Sequence, residues 1–375
     1  MIHQFDHRWA TYRWDASAGE VVTDDVSDAQ KARPDFTVQP RYWVEERRVL
    51  SRLARVPRCV TKAWDEQSEE ALRNALATWM VSGEASDALA ELRGQTASPR
   101  QRVIELGGRL FASLPVRDAD WFNPKAAAEA KEWTPLSPDE LALLRDAPNL
   151  LTATRDLLDR RSPRWLMGWR DITNATNERT VIASVVPRVG VGNNMPLMLF
   201  DDSAKPTQHA ALLGNLGSLA LDFVARHKVG GTHLNYFIYK QLPILPPTAY
   251  TEADLAYIVP RVLELTYTAY DLKPWYEDVV SSYTAVTASP FAIRHSPFTY
   301  DPARRAVLRA ELDAWYARMY GLTRDELRYI LDPSDTHGPD YPTETFRGLK
   351  SNELRAFGEY RTRRLVLEAW DAELR

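Results

Sequence analysis

The chain has 375 residues, of which 45% are hydrophobic and 26% are charged, as in a globular protein with two or three packed units. Its net charge of −4 argues against a non-specific DNA-binding protein but allows a local basic face. No apolar run approaches the roughly 20 residues that span a bilayer, and a single cysteine excludes an intrachain disulfide framework. We therefore expect a cytoplasmic protein without a membrane partner.

The region 1–160 is predicted to be a mostly helical connector. Residues 1–12 show no folding pattern of their own. The composition of residues 13–40 predicts a loop region that contains at most one strand. Ser137, followed by Pro138, opens a capping box, which marks the start of a helix. Apolar spacing and capping signals predict four helices in this region, at 42–54, 68–80, 137–145 and 150–160.

The region 161–247 is predicted to be an α/β core. Short apolar and β-branched runs, separated by polar turns, predict three or four strands of a small, mostly antiparallel sheet. These runs are 164–172, 181–186, 195–200 and 236–240. Between the last two, apolar spacing predicts one long helix over 207–228, with Gly230 and Gly231 as its stop.

The region 248–375 is predicted to be helical, which makes the whole chain α+β with helical units on both sides of the sheet. Helices are expected at 252–270, with Pro260 as a kink, and at 301–321, 323–331 and from about 343 onward. The intervening stretch 271–299 predicts loop.

The turns of the α/β core carry side chains that suit DNA. Arginine can bridge guanine O6 and N7, asparagine can bridge adenine N6 and N7, and lysine contacts phosphate. The candidate DNA-binding residues are Arg170, Asn174, Asn177, Arg179, Arg188, Lys228, Thr232, His233, Asn235 and Lys240. Asn193 and Asn194 have the same chemistry, but the sequence favours them as turn formers. Each of the others could equally be a turn or capping residue.

Complete catalytic motifs are missing from the sequence. An adenine methyltransferase needs a glycine-containing donor loop and an Asn/Asp-Pro-Pro-aromatic tetrapeptide, and the Asn-Pro at 123–124 is not followed by that pattern. Nothing matches a magnesium-dependent nuclease triplet or a nucleophile elbow. His3, Asp6 and His7 have metal-ligand chemistry, but three ligands in a terminal segment are incomplete, and we predict no metal.

An ordered series of short motifs resembles one known family. The series comprises Trp-Arg-Asp-Ile at 169–172, Thr-Asn-Glu-Arg-Thr at 176–180, Val-Gly-Val-Gly-Asn-Asn at 189–194, Lys-Val-Gly-Gly-Thr-His-Leu-Asn at 228–235 and Lys-Gln-Leu-Pro at 240–243. It is similar to the C-terminal target-recognition region of type IIG-like restriction–modification enzymes. The resemblance extends from 1–8 through 321–327 to 357–364 and the end of the chain, and it is weakest over 60–150.

In that family one long chain joins an N6-adenine DNA methyltransferase to a module that recognises the DNA sequence. The resemblance thus implies a DNA target-recognition module of a restriction–modification or phage-defence system, with double-stranded DNA and a methyltransferase catalytic chain or domain as partners. S-adenosylmethionine is expected on that partner and no cofactor on this chain. Our hypothesis is that this chain is the non-catalytic half of a divided or truncated enzyme.

Two other hypotheses remain open. The weakly acidic charge and the 12 tryptophans suit a protein-interaction or scaffold subunit of a defence complex that does not contact DNA. The chain could also be an enzyme of another type, built on His3, Asp6 and His7.

Overall fold

The computed structural model describes residues 1–82, 124–130, 132–201, 203–286, 294–342 and 344–372. The chain forms two compact units, one made of Met1–Tyr42 with Arg164–Arg375 and the other of Trp43–Pro163. This grouping differs from the three-part division at 160 and 247, because the first 42 residues pack with the C-terminal part of the chain. Residue 123, the first of the Asn-Pro pair at 123–124, lies outside the described residues.

The N-terminal segment contributes a β-hairpin to the first unit. Strands β1 (Ala10–Asp15) and β2 (Glu20–Asp25) pair antiparallel, and a short helix α1 (Asp28–Lys31) follows. Gly19 has a φ of +67° in the connecting turn, a conformation that glycine adopts without a steric cost. The sequence predicted at most one strand here.

The secondary structure described for the second unit is entirely helical. Its helices are α2 (Glu46–Leu53), α3 (Arg58–Glu66), α4 (Glu69–Ser82), α5 (Pro124–Ala130), α6 (Pro138–Asp146) and α7 (Leu150–Arg160). Ser137 and Glu140 form both hydrogen bonds of the predicted capping box, and Asn149 caps α7. The helices pack around a shared core that includes Trp64 and Trp79. The four helices predicted for this part are confirmed.

The sheet of the first unit has three antiparallel strands in the order β4-β3-β5. These are β3 (Trp165–Trp169), β4 (Ala183–Pro187) and β5 (Leu197–Met198). All five residues of β3 are buried, since the strand is central and packs in the core. The α+β fold class is confirmed.

The predicted long helix over 207–228 is two helices, α8 (Pro206–Leu216) and α9 (Leu219–Lys228). Ser218 starts α9 because its hydroxyl accepts a hydrogen bond from the Leu221 backbone N–H. A Cβ on Gly217 would come within 2.3 Å of the Phe5 ring, so the break is also where the N-terminal segment packs. The prediction of one continuous helix was wrong.

The remaining helices complete the first unit. They are α10 (Tyr236–Tyr239), α11 (Glu252–Thr266), α12 (Lys273–Val286), α13 (Pro302–Met319), α14 (Arg324–Leu331), α15 (Ser334–His337), α16 (Arg347–Phe357) and α17 (Arg361–Ala372). Residues 236–240 therefore do not form the predicted strand. Helix α12 occupies much of the predicted loop 271–299, and its buried face carries Trp275, Tyr276, Val279 and Val280 at helical spacing. Pro260 lies inside α11 without ending it.

None of the helices in the described ranges combines the length and the apolar character that a membrane crossing requires.

Candidate nucleic-acid interface

Three segments that are distant in sequence meet beside strand β3. The Asp171 N–H donates to the Asn194 carbonyl at 2.9 Å, and the Asp171 carbonyl accepts from the Leu234 N–H at 2.8 Å. The Thr173 N–H donates to the Thr232 carbonyl at 3.0 Å. These backbone bonds join 170–174, 188–196 and 228–241 into one face, which we call the loop surface.

Trp169 anchors helix α10 on this face. Its indole N–H donates to the Leu234 carbonyl at 2.7 Å, and its ring stacks on Tyr239 with centroids 4.0 Å apart. Tyr236 meets the same ring edge-on at 5.0 Å. Burial raises the pKa of the Tyr239 phenol, which donates to the Met198 sulfur at 3.0 Å. The one-turn helix is thus held by aromatic packing, and its Phe237 side chain is 75% exposed.

Five of the predicted DNA-binding residues are exposed on the loop surface: Lys228, Thr232, His233, Asn235 and Lys240. The Lys228 ammonium is 3.5 Å from the Gln241 side-chain oxygen, and no described residue forms a hydrogen bond or an ion pair with the Lys240 ammonium. His233 Nδ1 lies 2.6 Å from the Asp171 carboxylate, which fixes the orientation of the ring. Both lysines can therefore reach an anion in solvent without breaking a strong internal bond.

The three predicted asparagines stabilise backbone turns. The Asn174 side-chain oxygen accepts from the N–H groups of Thr176 and Asn177, and the Asn177 amide donates to Thr173. The Asn235 side-chain oxygen caps α10 by accepting from the Ile238 N–H at 3.0 Å. A bidentate contact with adenine needs both the oxygen and the amide of one side chain. Their internal bonds therefore use part of the hydrogen-bonding capacity that such a contact requires.

The two arginines at the edges of the sheet are half-buried. Arg170 donates from Nε to the Ile172 carbonyl at 2.8 Å. Arg188 directly follows β4 at the start of segment 188–196. Asn193 and Asn194, which follow on the same segment, are exposed.

Arg179 is not on the loop surface, and its assignment as a DNA-binding residue needs correction. Its side chain is 1% exposed and pairs with the equally buried Asp313 at 3.0 Å. A second bond joins it to the Gly217 carbonyl at 3.2 Å. A guanidinium enclosed and paired in this way cannot reach a base edge, so the role of Arg179 is to hold α13 against the 179–181 segment and α9.

The loop surface also has an apolar part that was not predicted from the sequence. Ile172, Val189, Tyr236 and Phe237 are exposed there. The run Tyr-Phe-Ile-Tyr at 236–239 resembles a strand by composition, and the one local signal for a helix was Asn235 as its N-cap.

The His3, Asp6 and His7 side chains are engaged separately. His3 stacks on Trp9, Asp6 pairs with Lys31 at 2.7 Å, and His7 lies 3.0 Å from Asp271. Across the described ranges, no group of three or more histidine, cysteine or carboxylate side chains is placed to hold a metal ion.

The chain matches no family model, no curated protein and no solved structure.

Proposed function

We propose that this chain is a DNA target-recognition module of a restriction–modification or phage-defence adenine methyltransferase, of the type IIG-like kind that its motifs resemble. In this proposal the loop surface contacts duplex DNA, and a separate or missing domain binds S-adenosylmethionine and transfers the methyl group. One observation carries the proposal: the loop surface is basic although the chain is acidic. Its segments hold Arg170, Lys228 and Lys240 against the single carboxylate of Asp171.

The chemistry of this face suits a nucleic acid. Exposed lysines contact phosphates, and each neutralised phosphate releases counterions, so affinity falls as salt rises. Thr232 and His233, which lie between the two lysines in the sequence and are exposed, supply hydrogen-bond donors and acceptors for base edges. Phe237 is an apolar side chain of the kind that DNA-bending proteins insert between base steps.

A protein-interaction subunit is the second candidate, and a specific observation favours it. The exposed side chains of Ile172, Val189, Tyr236 and Phe237 give the same face an apolar part, which is typical of protein interfaces. Such an interface would bind its partner with a weak dependence on salt, whereas DNA binding depends strongly on salt.

The first test is selection of duplex DNA from a randomised pool, with and without a co-expressed adenine methyltransferase chain, at two salt concentrations. We expect one short sequence to be enriched in at least one of these conditions. Lys240→Gln should weaken binding to all duplexes and lower the slope of log affinity against log salt by about 1. Phe237→Ala should weaken binding with little change in that slope.

Lys273→Gln is the matched control, because Lys273 is an exposed lysine of the same unit outside the loop surface. It should bind as the unsubstituted chain does. Absence of enrichment in every condition, or equal loss in Lys240→Gln and Lys273→Gln, would rule out specific DNA recognition by this face. Arg179→Ala is unsuited to this test because it would disrupt the buried pair with Asp313.

A further inference from the structure

Asp171 and His233 form a side-chain pair on the loop surface. His233 Nδ1 lies 2.6 Å from the Asp171 carboxylate, and the His233 side chain is 56% exposed whereas that of Asp171 is 16% exposed. This is the one hydrogen bond that the ring makes with a described residue. The pair therefore consists of an imidazole held at one nitrogen, with Nε2 left to bind a group from outside the described part of the chain.

The backbone on either side of His233 is fixed as well. Before it in sequence, the Thr232 carbonyl accepts from the Thr173 N–H at 3.0 Å. After it, the Leu234 N–H donates to the Asp171 carbonyl at 2.8 Å. A side chain that is oriented before its ligand arrives loses less conformational entropy when the contact forms. The His233 ring is thus preorganised for a directional hydrogen bond.

The carboxylate determines which ring nitrogen of His233 carries the hydrogen. An ionised carboxylate accepts hydrogen bonds and donates none, so Nδ1 is the donor in the bond with Asp171. In the neutral imidazole, Nε2 then has a lone pair and accepts. The pair presents one hydrogen-bond acceptor of defined position, and Asp171 acts on it through the ring.

The other exposed candidates on this face lack such an acceptor. Lys228 and Lys240 only donate, and the Thr232 hydroxyl can donate as well as accept. The Asn235 side-chain oxygen already accepts from the Ile238 N–H as the N-cap of α10. His233 is therefore the side chain among these that can distinguish a donor from an acceptor on a base edge.

We propose that the Asp171–His233 pair recognises an amino group on a base edge in the major groove, with His233 Nε2 accepting from adenine N6 or cytosine N4. This inference rests on the proposed function of the loop surface. Adenine and cytosine present an amino donor in the major groove, whereas guanine and thymine present only acceptors there. An acceptor at Nε2 favours the first two bases and opposes the oxygen of the other two. His233 is the specificity-determining residue, and Asp171 positions it.

The test begins with selection of duplex DNA by the full chain, in the condition that gives enrichment and at about pH 8.5, so that the neutral imidazole is compared. We expect one position of the enriched sequence to carry adenine or cytosine on one strand. Kd is then measured for four duplexes that differ only at that position. His233→Ala should reduce the preference for the amino base about fivefold or more, the effect of one lost hydrogen bond, and leave the other positions unchanged.

Asp171→Asn tests the positioning role of the carboxylate. An amide can donate to Nδ1 and so place the ring hydrogen on Nε2, which then donates instead of accepting. This variant should therefore tolerate guanine or thymine at the same position. A purely structural role of Asp171 would weaken binding to all four duplexes equally, and that result overturns its part in the proposal.

His337→Ala is the matched control, because it removes an exposed histidine of the same unit, on α15 and outside the loop surface. It should keep the full base preference. Thermal melts check that the variants are folded, and His233→Ala should fold because its side chain is exposed. An enriched sequence with the same base preferences in His233→Ala overturns this inference alone and leaves DNA recognition by the loop surface in place. Absence of any enriched sequence overturns both.

Discussion

His209 lies in the first turns of α8, and neither of its ring nitrogens is hydrogen-bonded to a described residue. The ring stacks on Phe200 at 3.9 Å and meets Trp165 edge-on at 5.7 Å. Burial lowers the pKa of His209 to about 4, and the nearby Asp201 offsets part of this effect. In the folded state the imidazole is therefore neutral at pH values where an unfolded histidine is already protonated.

The pKa of His209 predicts a loss of stability in mild acid. The unfolded chain binds a proton as the pH falls below about 6.5, whereas the folded chain does so only near pH 4. Stability from this group is thus complete above pH 6.5 and is lost as the pH falls toward 4. The free energy of unfolding should drop by about 3 kcal/mol over this window, at 1.36 kcal/mol per pKa unit.

Urea unfolding of His209→Phe at pH 7 and pH 4.5 isolates this contribution, because a phenyl ring keeps the stacking without a titratable group. The variant should lose less stability between the two pH values than the unsubstituted chain does. The control is His227→Gln, which alters an exposed histidine of α9. Its stability should change with pH as that of the unsubstituted chain does. Identical pH dependence in His209→Phe would show that burial does not suppress protonation of this ring.

Elements that begin with a local signal were predictable, and those that depend on distant contacts were not. The capping boxes at Ser137 and Thr323 are complete within four residues, and the helices that they predict are present. The break at Gly217 depends on Phe5, which lies far away in the sequence. Helix α10 depends on Trp169, whose ring packs against both of its tyrosines.

The same distinction applies to the candidate site. Residue type and turn position predicted Lys228 and Lys240 as candidates, and both side chains are exposed, at the last residue of α9 and directly after α10. They could not identify Arg179 as buried, since its partner Asp313 lies on α13, far along the chain.

The spacing of strands β3 and β5 depends on Gly168. A Cβ at this position would come within 2.4 Å of the Pro196 carbonyl oxygen and within 3.3 Å of the Leu197 side chain. Backbone oxygen cannot rotate away as a flexible side chain can. A larger residue at 168 must therefore displace segment 194–198 away from strand β3.

Gly168→Ala should lower the free energy of unfolding by about 1–3 kcal/mol, the usual cost of overpacking. It should also weaken DNA binding, because segment 188–196 forms part of the loop surface. Gly192→Ala is the matched control, since no atom lies within 4 Å of its added Cβ. Urea midpoints and DNA affinity measured on both variants test this, and equal midpoints would mean that β5 tolerates the extra methyl group.

At the scale of the whole molecule, the two ends of the chain belong to one packed unit. Arg8 is fully buried and donates to backbone carbonyls from both parts. Its Nη2 donates to the carbonyls of Lys31 at 2.7 Å and Thr268 at 3.1 Å, and its Nη1 donates to those of Arg33 and Phe36 at 2.9 and 3.2 Å. One guanidinium therefore ties the segment after β2 to the loop after α11.

Arg8→Met should destabilise the fold by about 3–5 kcal/mol, because it leaves several buried carbonyls without donors while filling much of the same volume. The matched control is Arg13→Met, which removes an exposed arginine that pairs with Asp15 and Asp24 on the hairpin. Urea unfolding followed by tryptophan fluorescence should give a much lower midpoint for Arg8→Met and a nearly unchanged midpoint for Arg13→Met. Equal midpoints would mean that apolar packing of residues 1–8, rather than the buried guanidinium, joins the N-terminal segment to the C-terminal helices.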